Sequence, residues 1–434
     1  MTDSRFFAAA GVTFVASCLS TPPASDVDAA PTTCVRDLEG GTFDRTRPLT
    51  TDFIALATGE TMGYFTTRVF AAPPSGRFGT LRWETVRPSL KALPDNRGRE
   101  TAYLQGSADL ASNQLLFHFD DPPAWDDTSG NDLSATCMSS PANQCPTVTP
   151  GLFRDALELD VDEDAGSDTD NDRLRIANNA ALETPQVTLE VWVRPNRAPA
   201  VGSRMMVVHK GTASPAQPPF ASYSIEYSNN MTFRCYANVG AVAGEELIDG
   251  TRVSAPMQWH HVACTYDGSR LRMFVDGFAD GELPAAGTLT YGLSDNDLIL
   301  GDYSGSQFLD GAVDELAVHS AVLSPAVLQE RARRGALRLA WQVRACDDAA
   351  CDGEGDAAWR GPNGTPATMF TEACSTDPDH PTLALFDLDC DGDGNPDDGA
   401  DEAIPPAPFY QARALFDTHR SPDTPELVEF ELCQ

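Results

Sequence analysis

Lysine is nearly absent from this chain: Lys91 and Lys210 are the only two in 434 residues, and every other basic side chain is an arginine. Cations of any kind are outnumbered, 30 Lys+Arg against 64 Asp+Glu. The resulting formal charge of −34 repels a polyphosphate backbone and excludes nucleic acid as a partner. Long apolar runs are missing too, and none approaches the ~20 residues of a membrane-spanning helix. None of the seven histidines falls in a His-Glu-x-x-His spacing, and there is no Gly-x-Ser-x-Gly elbow or phosphate loop, so three familiar catalytic frameworks are absent. What the chain does have is 33 glycines and 32 prolines. They punctuate it with turns, leave little room for long helices and point to an all-β protein. Hydrophobic residues make up 41%, enough for a core, and the length allows about three domains.

Phe6 to Ala16 is a short apolar stretch after Arg5, of signal-peptide length, and it ends in Val15-Ala16-Ser17-Cys18. That tetrapeptide resembles the bacterial lipobox, which implies that Cys18 is lipidated and anchors the exported protein to the bacterial outer membrane or cell surface. Residues 1–18 then form the leader, and 19–33, rich in Pro, Ala, Ser, Thr and Asp, a tether. Of the 11 cysteines, ten remain without Cys18, none in a C-x-x-C spacing; an even set points to disulfides and an oxidising compartment. Cys137 with Cys145 and Cys346 with Cys351 are close local pairs. Cys235 and Cys264 lie in alternating segments that read as neighbouring strands. Cys374 with Cys390 would close an acidic loop, leaving Cys34 for Cys433. Ten cysteines admit many other pairings.

Short strands with turn signals recur between Leu115 and about Arg334, the spacing of a sandwich or jelly roll rather than of βαβ units. Asp267-Gly268 and Asp276-Gly277 mark hairpins at the two ends of one strand. Only Ser324 to Arg334 predicts a helix, with Ser324 as cap, Pro325 in the first turn and Gly335 after the last. Thr188-Leu189-Glu190-Val191-Trp192-Val193-Arg194-Pro195, Trp259-His260-His261-Val262-Ala263, Val275-Asp276-Gly277 and Gly311-Ala312-Val313-Asp314-Glu315-Leu316 occur in that order. These runs resemble the successive signatures of the laminin-G-like (concanavalin-A-like) jelly roll. The resemblance implies two stacked antiparallel sheets over 113–334. It also implies one structural calcium near the rim, for which Asp120 and Asp314 are candidates; Trp192 and Trp259 fall inside or beside apolar strands and are expected to be core aromatics.

The flanks, Gly63 to Trp83 and then Ala340 to Cys346, Trp359 to Thr365, Phe409 to Leu415, Ser421-Pro422 and Thr424 to Leu427, resemble the two halves of a small β-sandwich module of bacterial secreted proteins. Residues 34–112 and 335–434 are therefore expected to form one sandwich interrupted by the jelly roll. The sharpest local motif lies in its second half. Asp387, Asp389, Asp391, Asp393, Asn395 and Asp398, with Gly392 at the bend, reproduce the ligand spacing of a calcium loop. Ten acids and no Lys or Arg lie between Cys374 and Glu402, a self-repelling cluster that a bound cation would neutralise. A second acidic run, Asp155 to Asp172, fits no single loop.

These features predict a non-enzymatic, calcium-stabilised binding or adhesion protein whose jelly-roll rim recognises a glycan or an extracellular protein. The alternative is a glycoside hydrolase acting on extracellular polysaccharide, which needs two carboxylates facing one cleft. Asp314-Glu315 is the nearest approach to such a pair, and it sits inside the jelly-roll signature.

Overall fold

The computed structural model describes residues 34–36, 38–49, 53–120, 125–137, 145–160, 172–211, 220–240, 245–291, 296–303, 307–375, 381–385, 404–420 and 422–434. Cys18, Cys390 and the 387–398 acidic loop lie outside these residues, as does most of the 155–172 run. The described chain is nearly all antiparallel strand, arranged as two sandwiches.

The first sandwich is the jelly roll. Its seven-stranded sheet comprises β1 (Ala135–Cys137), β2 (Leu174–Ile176), β3 (Arg204–Lys210), β4 (Tyr223–Ser228), β5 (Phe233–Asn238), β6 (Glu245–Asp249) and β7 (Leu298–Leu300), in the spatial order β6-β5-β4-β3-β7-β2-β1. The facing eight-stranded sheet is centred on Val187–Pro195, Gly311–His319 and His260–Tyr266. Alternate residues of both sheets, among them Val207, Ile225, Tyr227, Phe233, Val191 and Val262, fill one continuous core, as the period-two geometry of strands requires. Cys235 and Cys264 form a disulfide but are not on neighbouring strands: β5 and His260–Tyr266 belong to opposite sheets, so the bond crosses the core. Alternation shows which way a residue faces but not which sheet it joins, so apolar alternation alone could not separate these cases.

The second sandwich draws its strands from both flanks. Met62–Thr66 pairs with Phe409–Thr418, which pairs with Leu337–Cys346. Opposite them, Thr80–Thr85 pairs with Leu427–Cys433, whose last residue is both strand partner and disulfide partner of Cys34. Thr67 N–H donates to the Ala412 carbonyl at 2.9 Å, and Trp341 stacks on Phe430 in the core with ring centroids 4.6 Å apart. Further disulfides join Cys137 to Cys145 and Cys346 to Cys351, and Cys374 is also disulfide-bonded.

Helix α1, Pro325–Ala336, lies on the outer face of the eight-stranded sheet, where Leu328 packs on Ala263 and Phe274. Ser324 caps it by accepting from Val327 N–H. Gly335 falls inside the helix rather than after it: a Cβ there would meet the Trp192 ring at 2.6 Å, so the missing side chain is what lets the helix lie on that indole. The polar segment 94–109 is part of a wedge between the two sandwiches. Leu93, Ala108 and Leu110 pack on Leu116 and Ala317, and Ser89 Oγ donates to the Leu337 carbonyl at 2.9 Å.

Candidate functional site

Side chains of the seven-stranded sheet that point away from the core form a polar face. Along β4 these are Ser224, Glu226 and Ser228; along β5, Arg234 and Tyr236; and along β6, Leu247 and Asp249. The register places Met206, Glu226, Arg234 and Asp249 side by side across four strands. Glu226 Oε2 accepts from Arg234 Nη1 at 3.1 Å and lies 3.3 Å from Arg204 Nε. Arg234 Nε pairs with the Asp249 carboxylate, and Arg204 Nε donates to Gln307 Oε1 at 2.7 Å. Burial pushes the Glu226 carboxyl above its ordinary range against the pull of both arginines, with the Asp249 charge adding to the rise.

Arg204, Arg234 and Asp249 of this ladder line a cleft of about 800 Å³ that opens onto loops at one end of the sandwich, together with Ser203, Asn229, Asn230, Thr251 and Gln307. Asp280 holds one edge by accepting from Thr251 N–H at 3.0 Å and Arg252 N–H at 2.9 Å. Arg204 and Glu226 border a smaller hollow of about 80 Å³ with Met206, Phe220, Tyr236, Leu247 and Tyr303. There the Tyr303 ring meets His209 and Phe220 edge-on, at 5.3 and 6.3 Å. Burial lowers the His209 pKa to about 4, against the pull of a backbone hydrogen bond with Asp302, so that imidazole is neutral. Two guanidinium groups, the Asp249 carboxylate, amides and hydroxyls thus line the cleft, and the hollow that shares Arg204 with it adds Glu226 and three aromatic rings, a donor-acceptor set matched to a polyhydroxylated ligand with one apolar face.

The carboxylates singled out from sequence lie on the other sheet. Asp314 is fully buried, and its Oδ2 accepts the N–H groups of Leu152 and Phe153 at 2.8 and 3.2 Å. Burial first, and the Glu315 charge second, raise its pKa well above the carboxylate range. Asp120 accepts from Asp155 N–H at 3.1 Å, and burial pushes its pKa up to about 6. Among the described residues, two groups of three potential metal ligands converge, Cys34/Glu431/Cys433 and Cys346/Cys351/Glu354; their cysteines are in disulfides, and Asp120 and Asp314 belong to neither. Glu315 binds Leu93 N–H at 2.9 Å and pairs with His118 under the wedge. Neither Asp314 nor Glu315 faces the cleft. His261 and His319 both bind Glu190, at 3.2 and 2.8 Å. Burial opposes that carboxylate's ionisation, yet these bonds and the Arg331 charge hold its pKa well below the usual value. The cleft escaped the sequence reading because four strands contribute one or two ordinary polar residues each; only the register assembles them.

Residues 168–329 match the family model of the concanavalin A-like lectin/glucanases superfamily, so this part of the chain is a concanavalin A-like domain. No curated protein matches the chain. Among solved structures, it is similar to the binding domain of Paraclostridial Mosquitocidal Protein 1, with 10% identity over 51% of this chain and 52% of that one (TM-score 0.41). It is also similar to Domain 4 of AbnA, an extracellular arabinanase from Geobacillus stearothermophilus, in complex with arabinotriose, with 15% identity over 51% and 98% (TM-score 0.39). A third is the binding domain of Botulinum neurotoxin DC in complex with rat synaptotagmin II, with 12% identity over 52% of each chain (TM-score 0.40). The chain spans about half the length of the mosquitocidal and neurotoxin domains.

Proposed function

We propose that the protein is an exported binding protein that takes a glycan in the cleft on the seven-stranded sheet, with rim loops and sheet face acting together. The observation that carries this reading is the Arg204–Glu226–Arg234–Asp249 ladder beside Phe220, Tyr236 and Tyr303. Planar charged groups bind pairs of hydroxyls in fixed geometry, and aromatic rings take the apolar face of a sugar. Within the ladder two positive and two negative charges compensate, so the cleft suits an uncharged saccharide on a chain whose net charge of −34 repels anionic ones. The disulfides support an extracellular setting. The spacing of Asp387 to Asp398 supports a structural calcium ion in the second sandwich, and Cys18 supports a lipid anchor.

Hydrolysis is the second reading, favoured by one observation: the Glu226 pKa is raised and Asp249 lies across Arg234 from it on the same sheet face, two carboxylates on one surface. Both are ion-paired to Arg234, an arrangement that favours holding a ligand over proton transfer. A glycan array run beside a reducing-sugar assay on its hits separates the two. Binding without release of reducing ends is expected; turnover that is lost in Glu226→Gln would establish the hydrolase, and no binding to any glycan would refute both.

A further inference from the structure

Lys210 is one of two lysines in a chain that otherwise uses arginine, and it is fully buried (0% exposed) at the end of β3. The end of β2 and the start of β7 lie beside it, since Leu298 pairs with both Lys210 and Ile176. Lys210 Nζ donates to Asn178 Oδ1 and to the Asn296 carbonyl. The Asn178 amide is held on its other side, where Nδ2 donates to Glu183 Oε1 at 2.9 Å. The same oxygen accepts from Asn296 Nδ2 at 2.7 Å. The Asn178 backbone is pinned as well, its N–H donating to Asp297 Oδ1 at 2.7 Å. An amine, a primary amide oriented towards it and a carboxylate on the amide nitrogen thus meet at one end of three adjacent strands.

We propose that Lys210 and Asn178 join in an intramolecular amide bond, formed by the protein itself with Glu183 as proton carrier. Lys210 Nζ, as the neutral amine, attacks Asn178 Cγ and gives up a proton to the Glu183 carboxylate. Glu183 passes that proton to Nδ2, the Cγ–Nδ2 bond breaks, and ammonia leaves. One C–N bond forms and one breaks, nothing is oxidised or reduced, and no co-reactant is consumed. Burial lowers the Lys210 pKa to about 8 against the pull of Glu183 and Asp297, which raises the fraction of free amine near neutrality. Arginine could make the same hydrogen bonds but stays protonated and does not attack, which accounts for a lysine here. The bond would staple β2 to β3 across β7, in the sheet that carries the cleft, as a covalent clamp that reducing agents do not open. Asn296 meets Lys210 through its backbone oxygen, so it is not the acceptor.

The test is peptide mapping by mass spectrometry on the purified, reduced protein, with Lys210→Arg and Glu183→Gln alongside. The expected result is one branched peptide containing residues 178 and 210, lighter than its two parts by one ammonia, present in the wild type and absent from both variants. The melting temperature of the jelly roll should fall by roughly 7–14 °C in Lys210→Arg, from the lost cross-link across about 30 residues. Glu183→Gln keeps both reacting groups, so separate 178 and 210 peptides in that variant support the role of the carboxylate even if Lys210→Arg does not fold. Separate peptides with free Lys210 and intact Asn178 in the wild type, or a link to Asn296, would overturn the proposal.

Discussion

Replacing Cys34 and Cys433 together by alanine should cost the second sandwich more than loss of any local disulfide. The bond closes a sequence separation of 399 residues, and the chain-entropy relation gives about 6 kcal/mol for a loop of that size. If the jelly roll stays folded while the sandwich opens, only the roughly 180 flanking residues are released, and the same relation still gives about 5 kcal/mol. Cys346 and Cys351, separated by 5 residues, close a loop worth about 2 kcal/mol. The contrast arises because the strands bearing Cys34 and Cys433 are adjacent in the sheet but come from opposite ends of the chain. In differential scanning calorimetry without reductant, Cys34→Ala/Cys433→Ala should lower the sandwich transition by on the order of 10 °C and leave the jelly-roll transition nearly in place. Cys346→Ala/Cys351→Ala should lower the same transition by less than half as much. Equal shifts in the two double variants, or none in the first, would refute the argument from loop closure.

Two further outcomes follow from buried and bound charge. Glu372 accepts from Ser89 N–H at 2.9 Å, and burial raises its pKa to about 8 against the pull of Lys91, so the native state keeps a proton that the unfolded chain loses near 4.5. The stability that Glu372 contributes should therefore fall as pH rises from about 4.5 to 8, by at most about 1.4 kcal/mol per pH unit, and Glu372→Gln should remove that contribution and make the decline shallower; urea melts at pH 5 and 8 with the same decline in both proteins would contradict it. Millimolar calcium should raise the melting temperature of the second sandwich through the 387–398 loop, by the equivalent of about 1–2 kcal/mol for a Kd near 10⁻⁴ M. Excess chelator and Asp389→Ala should each remove that gain, and identical melts in all three conditions would leave the loop without an ion.

The parts of the fold legible in the sequence are those with local causes. The Arg270–Val275 strand is bracketed by two Asp-Gly turns, and the start of α1 is written in Ser324-Pro325. The end of α1 was not legible, because Gly335 stays helical for a contact with Trp192, more than a hundred residues away. The wedge was not legible as part of a core because its few apolar residues, Leu93, Ala108 and Leu110, follow no period; they are buried against Leu116 and Ala317 of the jelly roll. The pairing of the two flanks was legible only through resemblance, since no local pattern links Met62–Thr66 to Phe409–Thr418. The cleft is the extreme case: Glu226, Arg234 and Asp249 belong to no local motif, and their chemistry arises from cross-strand register.

The central claim, that the ladder on the seven-stranded sheet holds a glycan, is tested most directly by calorimetric titration of the strongest array glycan into the wild type and Arg234→Gln. Arg234 binds both Glu226 and Asp249, so its removal dismantles the wall of the cleft without touching the core. The account predicts a loss of affinity of roughly tenfold to a hundredfold, the worth of one charge-assisted contact, with the jelly-roll melting temperature changed little. Equal affinity in the two proteins would place the glycan elsewhere and contradict the account.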